Sequence, residues 1–313
     1  MDVSVVICAC ADERFGDLVG AVESVAAQSV PALETIVVVD HNPGLAAKVR
    51  ARCGGVVVAD NLETRGVSAT RNVGLATARG DVIAFLDDDA VAAGDWIERM
   101  LAVYAADGAV MAVGGEIEPL WQAPPPAWFP AEFGWVVGCG YTGLPTRATA
   151  VRNVIGTNMS FRREVFDAVG GFDSAIGRVG RVPVGCDETE LCVRARQHWP
   201  SRRIVFDPQV KVSHRVPVRR ARLRYFLLRC YGEGRSKALI SERVGQRDAL
   251  STELRYVTHV LPAGVLKGIR DALFGDGAGL GRAAAILAGL TATSLGFLRV
   301  RVGGAPARLL ARS

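Results

Sequence analysis

Residues 3–8 form a near-continuous apolar run, the pattern of a strand buried on both faces. Leu18, Val22 and Val25 follow at the three- and four-residue spacing of a helix. The alternation then repeats through the first 115 residues. Strand signals fall at residues 34–39, 56–59, 81–86 and 110–117, with a helical stretch at 67–78. Residues 94–98 predict the opening of another helix, with Asp95 as N-cap and Glu98 at the capping-box position. Strand–helix units of this length predict an α/β fold, a mostly parallel sheet flanked by helices.

From residue 119 to 144 the texture changes. Trp121, Trp128, Phe129, Phe133 and Trp135 interleave with prolines in a long loop. Such a loop is either functional or packed on the core by its own aromatics. Mixed structure resumes at residues 151–215, and from residue 218 the chain reads as helical and arginine-rich. Residues 283–298 are uncharged, between Arg282 and Arg299. A membrane span needs about twenty apolar residues, so this shorter run predicts a packed or surface-lying helix.

The strand at residues 81–86 runs into three carboxylates, Asp87, Asp88 and Asp89. Like charges gathered at a strand end raise one another's pKa. A hard divalent cation such as Mg²⁺ or Mn²⁺ removes that cost, and ligands of open α/β sheets bind beyond the carboxyl ends of the strands. The alternative for three aspartates alone is an exposed acidic turn.

Composition adds bounds. A chain of 313 residues, 50% hydrophobic, can bury one large domain with an appendage. The start shows no secretory pattern, and seven scattered cysteines without zinc spacing predict reduced thiols in the cytoplasm. Residues 1–210 hold 18 Lys+Arg and 26 Asp+Glu, whereas residues 211–313 hold 19 and 6. The acidic front suits a metal site. The basic rear suits phosphate groups or an anionic membrane surface; without a recognised binding motif it speaks against nucleic acid. No Gly-x-Gly-x-x-Gly follows the first strand, which disfavours a dinucleotide-dependent dehydrogenase.

Several segments together resemble family 2 glycosyltransferases. They include Gly66-Val67-Ser68-Ala69-Thr70-Arg71-Asn72, Ala84-Phe85-Leu86-Asp87-Asp88-Asp89, Gly156-Thr157-Asn158-Met159-Ser160-Phe161-Arg162, Gly170-Gly171-Phe172-Asp173 and Asp187-Glu188-Thr189-Glu190-Leu191. The likeness covers roughly residues 1–215. The tryptophan/proline loop and Tyr231-Gly232-Glu233-Gly234-Arg235-Ser236-Lys237 are similar to a branch related to glucuronosyltransferases acting on lipid-linked sugars.

The resemblance implies a GT-A fold and transfer with inversion from a nucleotide-sugar donor to a glycan or lipid-linked acceptor. It implies a nucleotide-sugar-binding half at 1–115, an acceptor-binding and catalytic half at 116–215, and a basic helical region at 216–313. Asp40, Arg71, Asp87 and Asn158 fall at donor-binding positions. Asp87, Asp89 and His214 are implied as metal ligands for Mg²⁺ or Mn²⁺. The family's Glu-Asp pair stands here as Asp187-Glu188, leaving Glu188 or Asp187 as the base. The Gln-x-x-Arg-Trp motif of processive synthases is absent, so one sugar per encounter is expected. The basic rear and the lipid-linked acceptor together imply a cytoplasmic protein held peripherally at the inner face of the cell membrane. The rival reading is a non-catalytic nucleotide-sugar or glycan-binding module on the same fold.

Overall fold

The computed structural model describes residues 1–176, 185–245 and 253–303. The chain divides into two compact units. The first comprises Met1–Glu118, Pro145–Arg181 and Asp187–His214; the second comprises Pro119–Leu144, Val182–Cys186 and Arg215–Ser313.

Among the described residues nine strands form one sheet. They are β1 (Val3–Ala9), β2 (Glu34–Asp40), β3 (Val57–Asn61), β4 (Val82–Asp87), β5 (Ala90–Ala92), β6 (Val110–Trp121), β7 (Thr149–Val151), β8 (Asn158–Arg162) and β9 (Arg203–Val216). The order is β3-β2-β1-β4-β8-β6-β9-β5, with β7 also on β9. The first four run parallel, as the strand–helix repeat predicts. Beyond β4 the sheet is mixed: β8 is antiparallel to β4 and β6, and β9 to β5 and β7. The parallel strands end together, so Asp40 and Asp87 emerge on the same edge of the sheet, where Asp87 pairs with Cys8.

Helices α1 (Phe15–Ala26), α2 (Pro43–Arg52), α3 (Val67–Thr77), α4 (Trp96–Ala106), α5 (Arg163–Val169) and α6 (Asp187–His198) complete the first unit. Its core gathers Val6, Ile36, Val38, Phe85 and Phe161 with Phe166, Phe172 and Leu191. A Cβ at Gly74 would lie 2.3 Å from Val6 Cγ1, so only glycine lets α3 lie this close on β1. Asp95 does stand at the N-cap of α4, yet the expected capping box does not form. Asp95 Oδ2 instead accepts from Arg99 Nε at 2.8 Å, and Glu98 accepts from Ser29 at 2.7 Å.

The second unit is built on α7 (Leu223–Val244), α8 (Leu261–Leu273) and α9 (Ala278–Gly303). Here the tryptophan/proline loop is a core. Phe133 stacks against Trp135 and Phe226, Trp128 meets Phe226 edge-on, and Tyr256 donates to the Glu132 carbonyl at 2.6 Å. The uncharged sixteen-residue run understates its helix, because α9 has 26 residues and carries Arg282, Arg299 and Arg301 within it. At 1.5 Å per residue it is about 39 Å long, so length does not bar it from crossing a bilayer. Its inner side packs on α7, where a Cβ at Gly234 would meet the Thr293 carbonyl at 1.9 Å and one at Gly296 the Tyr231 carbonyl at 2.1 Å.

Candidate active site

The site lies in the first unit, beyond the carboxyl ends of β2 and β4. Asp40 ends β2 half-buried. Its Oδ1 accepts from Asn61 Nδ2 at 2.8 Å and lies 2.8 Å from His41 Nδ1. Its Oδ2 accepts from the Gly66 backbone N–H at 3.1 Å. Gly66 reaches that position at φ 126°, a conformation L side chains rarely adopt.

The strand β4 delivers Asp87, and the two residues beyond it turn inward. Asp88 and Asp89 are both buried. Asp87 Oδ2 accepts from Thr157 Oγ1 at 2.7 Å. The pairing of β5 with β9 sets His214 opposite Ala90, next to the turn, and His214 Nε2 stands 3.1 Å from Asp89 Oδ1. One ligand atom each from Asp87, Asp89 and His214 lies within 4.8 Å of the others. Two carboxylates and an imidazole at this separation fit a divalent cation.

Arg14 completes the cluster. Its guanidinium lies 2.8 Å from Asp88 Oδ1 and 3.3 Å from Asp89 Oδ2. Burial pushes the Asp88 carboxyl well above the usual range; Arg14 opposes this, and the charges of Asp89 and Asp87 add to it. Asp88 Oδ2 is buried and lacks a hydrogen-bond partner among the described residues. A cluster this acidic, with an unsatisfied oxygen, has room for more positive charge than Arg14 supplies.

Arg71, on α3, bridges the acidic turn to the start of α6. Its Nη1 is 2.5 Å from Asp187 Oδ2, and its Nη2 is 3.3 Å from the Gly156 carbonyl and 3.8 Å from Asp87 Oδ1. A Cβ at Gly156 would fall 2.8 Å from this guanidinium. Asp187 is buried and held by Arg71, while Glu188 beside it is half-buried. Burial, reinforced by the neighbouring Asp187 charge and opposed by Arg71, pushes the Glu188 carboxyl up to about 8.

The sequence-predicted donor ligand Asn158 is a strut of the sheet. It is fully buried; its Oδ1 accepts from Trp96 Nε1 at 2.9 Å, and its Nδ2 donates to the carbonyls of Glu116 and Val210 at 3.0 and 2.8 Å. Those bonds tie β8 to β6 and β9 and leave the side chain facing no ligand space. The remaining predicted residues, Asp40, Arg71, Asp87, Asp89, Asp187, Glu188 and His214, all belong to the first unit. Arg14 and Thr157 were not singled out by sequence reasoning. Thr157 sits within a noted motif, but a lone arginine in a short 3₁₀ turn carries no pattern.

The chain matches the family described as Glycosyl transferase family 2 over residues 4–170. It belongs to that family. A glucosyl-dolichyl phosphate glucuronosyltransferase of Haloferax volcanii is 38% identical over 243 residues, 77% of each chain. The succinoglycan biosynthesis protein ExoM of Rhizobium meliloti is 29% identical over 192 residues, 60% of this chain and 58% of that one. Two solved structures share the fold. The mannosyltransferase PcManGT of Pyrobaculum calidifontis, in complex with GDP-Man and Mn²⁺, superposes with a TM-score of 0.56 at 16% identity, covering 92% of this chain and 86% of that one. GalNAc-T7 with UDP, GalNAc and Mn²⁺ superposes at 0.56 and 14% identity, covering 83% and 58%. The fold is therefore GT-A, and the protein is a family 2 glycosyltransferase, a family that transfers with inversion.

Proposed function

We propose that this glycosyltransferase moves one sugar from a nucleoside-diphosphate donor to a hydroxyl of a polyprenyl-phosphate-linked glycan, with Glu188 as general base. The convergence of Asp87, Asp89 and His214 carries the reading, because a departing diphosphate needs positive charge where these ligands meet. They would hold a divalent cation, for which Asp87-Asp88-Asp89 serves as the family's DXD motif. An imidazole donor favours Mn²⁺ over the strongly hydrated Mg²⁺. When bound, the cation supplies Lewis-acid stabilisation of the leaving diphosphate.

The chain's own residues supply the rest. Asp40, held by Asn61 and Gly66, contacts the nucleobase or ribose. Arg71 locks Asp187, so the brace and the base are separate residues. Glu188 takes the proton of the acceptor hydroxyl as that oxygen attacks the anomeric carbon opposite the leaving phosphate. A base of raised pKa is matched to this proton transfer, which contributes roughly 10²–10⁴-fold. The acceptor class rests on the Haloferax volcanii relative, whose name carries a dolichyl phosphate sugar. With the basic residues 211–313, it supports a peripheral enzyme of cell-envelope glycan synthesis at the cytoplasmic face of the membrane.

The test is release of nucleoside diphosphate from a panel of nucleotide sugars, with Mn²⁺ and a short-chain polyprenyl-phosphate sugar as acceptor. Time-dependent, acceptor-stimulated release supports the reading. Saturable binding without turnover across the panel would leave the binding module as the better description.

A further inference from the structure

The outer side of α8 and α9 is apolar where a helix surface is normally polar. On α9, besides Val302 near its end, the exposed large apolar side chains are Leu280, Leu287, Leu295 and Leu298; between them only Ala284, Thr291 and Ser294 are exposed. At 3.6 residues per turn these seven positions fall within an arc of roughly 100°, one continuous stripe. On α8, Leu266 and Ile269 are exposed. The last residue of α8 and the one after it, Leu273 at 81% and Phe274 at 85%, are more exposed still. A surface of this extent marks an interaction site.

The charges around the stripe say what covers it. Lys267 and Arg270 flank Leu266 on α8, and Arg299 and Arg301 are exposed just beyond Leu298 on α9. The acids of α8 and of the connection to α9, Asp271 and Asp276, are engaged by Lys267 or Arg282. A second copy of this chain would bring the same cations to one interface with no acid on the stripe to receive them. An anionic lipid surface receives both the leucines and the cations. Crossing the bilayer is disfavoured by the partner helix. The glycine contacts fasten α9 to α7, which carries Arg224, Arg229, Glu233, Arg235 and Lys237, and α9 cannot enter hydrocarbon without them.

We propose that the outer face of α8 and α9 is a lipid-docking surface that lies flat in the interfacial region of an anionic bilayer, with Leu273 and Phe274 inserted. It rests on the lipid-linked acceptor of the proposed function and names the surface that brings the enzyme to it. The leucines enter the boundary between headgroups and acyl chains, and the basic side chains extend to the phosphates.

The experiment compares the full chain with Leu273→Ser/Phe274→Ser and with Leu287→Ser/Leu295→Ser. Cosedimentation is measured with phosphatidylglycerol-containing and with pure phosphatidylcholine vesicles. The parent should bind the anionic vesicles and be released by high salt or alkaline carbonate. Each double variant should bind at least ~10-fold more weakly and keep the parent melting temperature, since it changes only exposed positions. Phe274→Trp should shift its emission to the blue with anionic vesicles and be quenched by shallow, not deep, lipid labels. Undiminished vesicle binding by both double variants overturns the proposal. So does retention after carbonate, which means crossing, or a parent dimer without lipid that the leucine variants dissociate, which means a second copy. Transfer to the water-soluble short-chain acceptor is measured alongside. Loss of vesicle binding with transfer intact supports the surface, whereas absent transfer in a vesicle-binding parent counts against the acceptor and leaves the surface standing.

Discussion

Glu188 and Arg14 illustrate how far single residues decide this site. Glu188→Gln preserves shape and hydrogen bonding but cannot take a proton, so kcat should fall by at least ~10²-fold while nucleotide binding survives. The comparison is Asp187→Asn; a larger kcat loss there would move the base by one residue. Burial raises the Glu188 pKa to about 8, and the active form of a base is the ionised one. The rate should therefore climb with pH through about 8, and Glu188→Gln should flatten that limb in a pH–rate profile. The same raised pKa makes the folded protein bind this proton more tightly than the unfolded chain. Its contribution to stability is full below the ordinary glutamate range and is lost as pH rises through about 8. Arg14 should matter without touching the reaction. Arg14→Ala leaves Asp88 and Asp89 without their guanidinium, so melting in EDTA should come at lower temperature. The increase on adding Mn²⁺ should exceed that of the parent, and an unchanged response would remove the counter-ion role. The acidic run was legible in the sequence because carboxylates after an apolar strand are a local pattern, whereas His214, far along the chain, was indicated only by the family resemblance. Arg14 was not legible, because its partners lie some 75 positions away. Asn158 was hard to read for the complementary reason: a motif asparagine reads alike whether it faces a ligand or ties strands together, and the sequence does not show its bonds to Trp96, Glu116 and Val210.

At the scale of elements, the parallel half of the sheet was readable, since two-sided burial writes continuous apolar runs. The antiparallel half was less so, because β8 and β9 pair with strands far away in sequence. The aromatic loop stayed ambiguous, since its composition suits a core as well as a ligand surface; Phe133 and Phe226 resolve it as core. The α7–α9 contact was invisible, because glycine in a helical stretch ordinarily signals weakness. Here it permits close approach. Gly234→Val and Gly296→Val should each cost about 1–3 kcal/mol or more by overpacking, read as a lower melting temperature. Gly277→Ala, with nothing within 4 Å of the added Cβ, should stay within about 0.5 kcal/mol of the parent. Equal melting of all three would mean that the helices separate more easily than this packing allows.

Over the whole molecule, charge and chemistry divide along the chain. The acidic first two thirds hold every candidate site residue except His214, which stands just inside the last third, and that last third carries the cations. Stripping metal with EDTA should abolish turnover, and Mn²⁺ should restore it. A nucleoside diphosphate should raise the melting temperature strongly only with Mn²⁺ present, because binding to the native state alone stabilises it. Asp89→Ala should lose that metal-dependent increase. Full turnover in excess EDTA would contradict the role assigned to the acidic turn.

The pairing of Ala90 with His214 also bears on how the enzyme is made. A ribosome releases the aspartates early and the imidazole late, with about half of the first unit synthesised in between. During that interval Arg14, made earlier still, is the counter-ion already at hand. Prematurely ended chains would thus carry the aspartates without the third ligand, and Mn²⁺ capture would distinguish finished translation products from abortive ones. A chain stopped before residue 203 should bind Mn²⁺ much more weakly than the full protein, even though it contains the whole family-matching segment, residues 4–170.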